Sequence, residues 1–159
     1  MLEKIVQTID RLSLWGAYLS SALLIAIILL IAVNVILMSF FNSSIIITEE
    51  YSAYMFAAFV MLSLSFALKE DAHIKITVVS SKLPRPISKI LKITVTLLAF
   101  LISLFALYYS ILMVWQAYIY KMRADTVAQT LIYIPQIFMP IGFLMLSLQL
   151  VGELLKEIK

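Results

Sequence analysis

The sequence predicts an all-α integral membrane fold with four transmembrane helices, both termini in the cytoplasm, and an interfacial basic segment between helices 2 and 3. Three observations predict it. Of 159 residues, 64% are hydrophobic and only 13% carry charge, about half the charged fraction of an ordinary soluble domain. The apolar residues fall into four long charge-free runs, and the basic residues are divided unequally between the two sides those runs define. No water-soluble fold of this length buries so much apolar surface, so lipid is the main solvent. The formal charge of +3 does not point to nucleic acid, because lysine and arginine sit between apolar runs, where membrane topology and anionic headgroups account for them. The chain has no cysteine, which excludes disulfides, thiolate chemistry and cysteine metal sites.

The whole chain, 1–159, reads as one membrane domain with spans near 13–40, 51–68, 90–119 and 132–152. The first charge-free run, 12–47, is broken only by single polar residues such as Ser20, Ser21 and Asn34. About 20 residues already cross the hydrocarbon core, so this helix must tilt or project beyond it. Lys4 and Arg11 precede the run as in a secretory signal, but it is far longer than a signal's apolar core and should stay attached. The second run opens after Glu49-Glu50 and is closed by Lys69-Glu70-Asp71. A polar connection, 69–86, leads to the third run, and the fourth ends in a charged tail, 153–159. The fourth contains Pro135, which suits a first helical turn, and Pro140, which removes a backbone donor and kinks the span unless the helix starts late. Trp15, Trp115, Tyr118 and Tyr120 fall near helix ends, where aromatic rings anchor to the interface. No internal repeat is evident.

Orientation follows from the basic residues. The N-terminal segment has Lys4 and Arg11, the connection between helices 2 and 3 has Lys69, Lys75, Lys82, Arg85, Lys89 and Lys92, and the tail has Lys156 and Lys159. The opposite side has only Lys121 and Arg123. Ten against two places both termini inside.

Candidate catalytic groups are few. The single histidine, His73, has Glu70 and Asp71 beside it, but three ligands crowded within four residues make a poor metal site. The glycines, Gly16, Gly142 and Gly152, cannot form a phosphate-cradling loop. We expect no enzyme, no cofactor and no metal. Ionisable groups at mid-membrane mark ion pathways, and the four runs contain none. The amides Asn34, Gln116 and Gln149 are candidate interhelical polar contacts. Glu49 and Glu50 suit the positive end of the second helix, with Thr48 as its cap, or a cationic partner near the outer surface. Arg85, Lys89 and Lys92 are spaced i, i+4, i+7, opposite Ile87, Ile90, Leu91 and Thr94. This is a face suited to anionic lipid headgroups, with the apolar side in the acyl boundary.

With these features in place, the chain resembles the small membrane subunit of tripartite ATP-independent periplasmic (TRAP) transporters, the DctQ-like family. The matching residues are Glu49-Glu50-Tyr51 opening the second helix, Lys69 followed by His73-Ile74-Lys75-Ile76, Lys82-Leu83-Pro84, and Ile134-Pro135 with Pro140-Ile141-Gly142. Lys69 stands where arginine is expected, and Tyr133 and Gln136 flank Ile134-Pro135 where tryptophan is more usual. The resemblance implies a sodium-driven importer of organic acids in a bacterial or archaeal cytoplasmic membrane. Its implied partners are a large permease subunit, which holds substrate and sodium, and a periplasmic substrate-binding protein. The small subunit would brace the permease scaffold. The rival reading is a self-contained homo-oligomeric channel or exporter, although such exporters usually carry a carboxylate inside the first helix and this one has none.

Overall fold

The computed structural model describes residues 2–80 and 85–158, with side chains for 3–70 and 87–156. The backbone forms α1 (Leu2–Phe41), α2 (Thr48–Ser80), α3 (Arg85–Ile119), the single turn α4 (Tyr133–Gln136) and α5 (Phe138–Ile158). Among the described residues, four segments are long and apolar enough to cross a membrane: Glu3–Phe41, Thr48–Glu70, Ile87–Ile119, and Tyr133–Lys156, which joins α4 to α5. The chain is a multi-pass membrane protein. With 40 residues, α1 is about 60 Å long, twice the hydrocarbon thickness.

Two helix ends show how the chain stops a helix without glycine. At the end of α3, Met122 N–H donates to Ala117 O at 3.0 Å and Lys121 N–H to Tyr118 O at 3.2 Å. This is the paired closure of a left-handed C-terminal cap, with Lys121 at φ 47°. Asn42, just past α1, also has φ 47°, a conformation that asparagine adopts more readily than most residues.

The second helix does not stop at Lys69-Glu70-Asp71. Its backbone continues to Ser80, so much of the segment expected as a polar connection is helical. Charges end a membrane run, but they do not end a helix, whose hydrogen bonds are indifferent to hydropathy. The fourth span is interrupted at Ile137, yet Ile137 keeps helical dihedrals, φ −57° and ψ −29°. Pro140 falls in the first turn of α5, where a missing donor costs little.

α5 is the centre of the bundle. It packs against α1, α2 and α3, while among the described residues α1 and α3 share no contact and α2 meets α3 only slightly. Glycines set how closely the helices approach. A Cβ on Gly16 of α1 would stand 2.8 Å from the Leu62 carbonyl oxygen of α2, and one on Gly142 of α5 would stand 2.6 Å from the Met61 oxygen. Consecutive α2 residues are therefore gripped by glycines from two helices. In lipid there is no hydrophobic drive between helices, so this close backbone approach carries the association. On the other side of α5, Ser103 and Ser147 share a hydrogen bond at 2.9 Å, joining α3 to the centre.

Candidate functional site

The charged side chains of the described residues lie at the two ends of the bundle. At the end that holds both termini, Gln149 of α5 is fully buried against Ser13 of α1. The Ser13 hydroxyl donates to Gln149 Oε1 at 2.7 Å. The Gln149 amide nitrogen donates to Asp10 Oδ1 at 3.0 Å and to Glu153 Oε1 at 3.3 Å. Lys156 closes the cluster, its ammonium 3.3 Å from Asp10 and 2.9 Å from the buried Glu153. Helix geometry builds this: Gln149, Glu153 and Lys156 are spaced i, i+4, i+7, and Asp10 and Ser13 i, i+3, so each set occupies one face. Two carboxylates in a low-dielectric seam are tolerated because lysine and amide donors satisfy them. The residues 153–156, the start of the charged tail, are thus part of the bundle.

At the other end, the segment between α3 and α4 folds into a small hairpin. Arg123 and Leu131 form an isolated antiparallel bridge. Ala124 N–H donates to Thr130 O at 2.9 Å, and Ile132 N–H to Met122 O at 3.1 Å. Glu50, in the first turn of α2, ties this hairpin down. Its carboxylate accepts from the Thr126 hydroxyl and, at 3.0 Å, from the Tyr54 hydroxyl. Glu49 is exposed. The Thr48 hydroxyl, expected as the cap of α2, has no hydrogen-bond partner among the described residues. The helix begins one residue too early for it to cap, with Thr48 N–H turned onto Ile45 O at 3.0 Å. Both carboxylates still lie in the first turn, at the positive end of the dipole.

The three amides separate. Gln149 reaches another helix. Asn34 instead accepts Ile45 N–H at 2.7 Å, bracing the α1–α2 connection. Gln116 is exposed on α3. Lys89 is exposed and Lys92 half-buried on the first turns of α3, beside the exposed Ile87 and Ile90. The side chains of Asp71, His73 and Arg85 lie outside the described residues, as does the segment 81–84. Among the described residues no three potential ligands gather into a metal site.

A family model for the DctQ component of tripartite ATP-independent periplasmic transporters matches residues 9–159. The chain belongs to this family. A TRAP transporter small permease protein of Haemophilus influenzae is 24% identical to it over 126 residues, which cover 79% of this chain and 76% of that protein. A second protein of that name from the same organism is 43% identical over 56 residues, 35% of each chain. As a DctQ-family chain it is a transporter component and not an enzyme.

Sequence reasoning missed Asp10, Ser13, Glu153 and Lys156. The spacing of Gln149, Glu153 and Lys156 on one helical face was a usable signal, but nothing local told that face from a solvated one. The tether from Glu50 to Thr126 joins residues 76 apart, beyond the reach of any spacing rule.

Proposed function

We propose that this DctQ-family chain is the small membrane subunit of a sodium-coupled, binding-protein-dependent importer of organic acid anions, and that it braces the scaffold of the large permease subunit. The observation that carries this reading is where polarity lies in the bundle. The ion pairs of the described residues lie at the end that holds both termini and the Glu50 hydrogen bonds at the other, while the wide apolar face of α3 stays exposed. A brace needs such a face. Ionisable groups at mid-depth mark ion pathways, and the described spans hold none there.

Further parts of the proposal concern placement. The chain lies in the cytoplasmic membrane with both termini inside, on the ten-to-two basic asymmetry. The outer end then presents the hairpin 122–132 and Glu49, which is free to meet a cation of the large permease or of the periplasmic binding protein. Arg85, Lys89 and Lys92 attract anionic lipid at the inner surface.

Reconstitution tests the proposal. The chain alone should give no sodium-driven carboxylate uptake. The large permease and the binding protein added together with it should give uptake, and leaving this chain out should abolish most of it. Transport by the chain alone would favour a homo-oligomeric channel or exporter and sink the accessory reading.

A further inference from the structure

The outward face of α3 is chemically unlike the outward face of α1. On α3, Ser103, Ser110 and Ala117 recur every seven residues and are buried, with Ser103 bonded across to α5. Helical geometry puts Phe105, Tyr108 and Tyr109 on the opposite side, where the three are 65%, 59% and 54% exposed. Their rings form one cluster: Phe105 and Tyr109 have centroids 4.5 Å apart, and Tyr108 meets Tyr109 edge-on at 5.4 Å. Gln116 follows on the same stripe, seven residues beyond Tyr109.

Depth makes these tyrosines unusual. Trp115 and Tyr118 mark the end of the span, and Tyr108 and Tyr109 lie seven and nine residues short of them, roughly 10–14 Å along the axis. Half the hydrocarbon core is about 15 Å. Both phenols therefore sit near the middle of the bilayer, and neither hydroxyl meets a hydrogen-bond partner among the described residues. Lipid chains offer no acceptor, so a hydroxyl facing them is left unsatisfied. The outward face of α1 poses no such problem. From Ile25 through Leu29, Val33 and Ile36 to Phe40 it is hydrocarbon, and the hydroxyls of the flanking Ser20 and Ser21 donate to the Ala17 carbonyl.

We infer that the Phe105–Tyr108–Tyr109 face of α3 seats a transmembrane helix of the transporter's large membrane subunit, one that brings hydrogen-bond acceptors to the two phenols, while α1 faces lipid. This rests on the accessory-subunit reading above. An aromatic cluster already packed against itself loses little freedom on docking and suits the centre of an interface. Tyr108 and Tyr109 supply the polar contacts that hold membrane helices together.

The test uses the full chain co-expressed with the large membrane subunit. A photo-crosslinking residue at Ile102 or Phe105 should join this chain to the large subunit, whereas one at Ile25 or Leu29 should not. The double variant Tyr108→Phe/Tyr109→Phe keeps both rings and leaves the α3–α5 seam untouched. It should lower recovery of the large subunit roughly tenfold, with helicity and monodispersity unchanged. Crosslinking from α1 only, a product of two copies of this chain, or full recovery with the double variant would each overturn the assignment. Failure of the wild-type chain to recover the large subunit at all would overturn the accessory reading and this inference together.

Discussion

Ser13 and Gln149, 136 residues apart in the chain, meet at 2.7 Å in the seam between α1 and α5, and both are almost wholly shielded. The Gln149 amide then divides its donors between the carboxylates of Asp10 and Glu153. One uncharged side chain thus holds the two terminal helices together and spaces two negative charges. Replacing it with leucine, of similar volume, leaves Ser13 without its acceptor and both carboxylates without an amide donor. Gln149→Leu should cost about 2–3 kcal/mol, read as a lower midpoint of thermal unfolding in detergent. An unchanged midpoint would show the network to be dispensable.

Two glycines of α5 should behave oppositely when given a methyl group. At Gly142 the new Cβ meets the α2 backbone at 2.6 Å, so α2 and α5 must part. Gly142→Ala should destabilise by about 1–3 kcal/mol. At Gly152 the nearest atoms belong to Ile9 at 3.6 Å, an ordinary contact. There alanine gains up to about 1 kcal/mol of helix propensity. Thermal melts of the two variants side by side should move in opposite directions, and a shared direction would refute the close approach at Met61.

Lys121 carries a left-handed backbone at φ 47°, which a residue with a Cβ adopts at a cost. Lys121→Gly should stabilise the end of α3 by roughly 0.5–1 kcal/mol, and Lys121→Val should do the reverse. Matching effects of the two changes on the melting midpoint would contradict the cap.

The hairpin 122–132 depends on Glu50 for its anchor to α2. Glu50→Ala or Thr126→Val should speed amide exchange at Ala124 and Ile132, whose N–H groups hold the hairpin's hydrogen bonds. Glu49→Ala should leave both rates alone. Equal effects of the two glutamates would mean that the tether is general electrostatics and not a specific bond.

The proposed orientation is testable because the chain has no native cysteine. Single cysteines at Ser43 and Gln129, both exposed, should react with an impermeant maleimide in intact cells. A cysteine at Gln7, exposed near the N-terminus, should react only after the cells are opened. The reverse pattern would place the termini outside.

The amino-acid sequence by itself determined that this is a helical membrane protein with four spans and that it belongs to the DctQ family. Those are properties of local composition: a run such as 12–47 is apolar whatever packs against it, and short motifs such as Glu49-Glu50-Tyr51 keep their order along the chain. Only the tertiary structure decided which faces meet. Asn34, Gln116 and Gln149 are alike as single amides in apolar runs, yet one braces a loop, one stays exposed and one is buried at the centre of an ionic seam. Glu153 and Lys156 read as part of a charged tail until Asp10 and Ser13 are brought beside them. The reason is physical: hydropathy reports the transfer of each side chain into lipid, summed along one dimension. In a bilayer, transfer into lipid does not distinguish a helix face that meets another helix from one that meets acyl chains. That choice is left to close packing and hydrogen bonding between residues far apart in sequence, such as Gly142 against Met61 and Ser13 with Gln149.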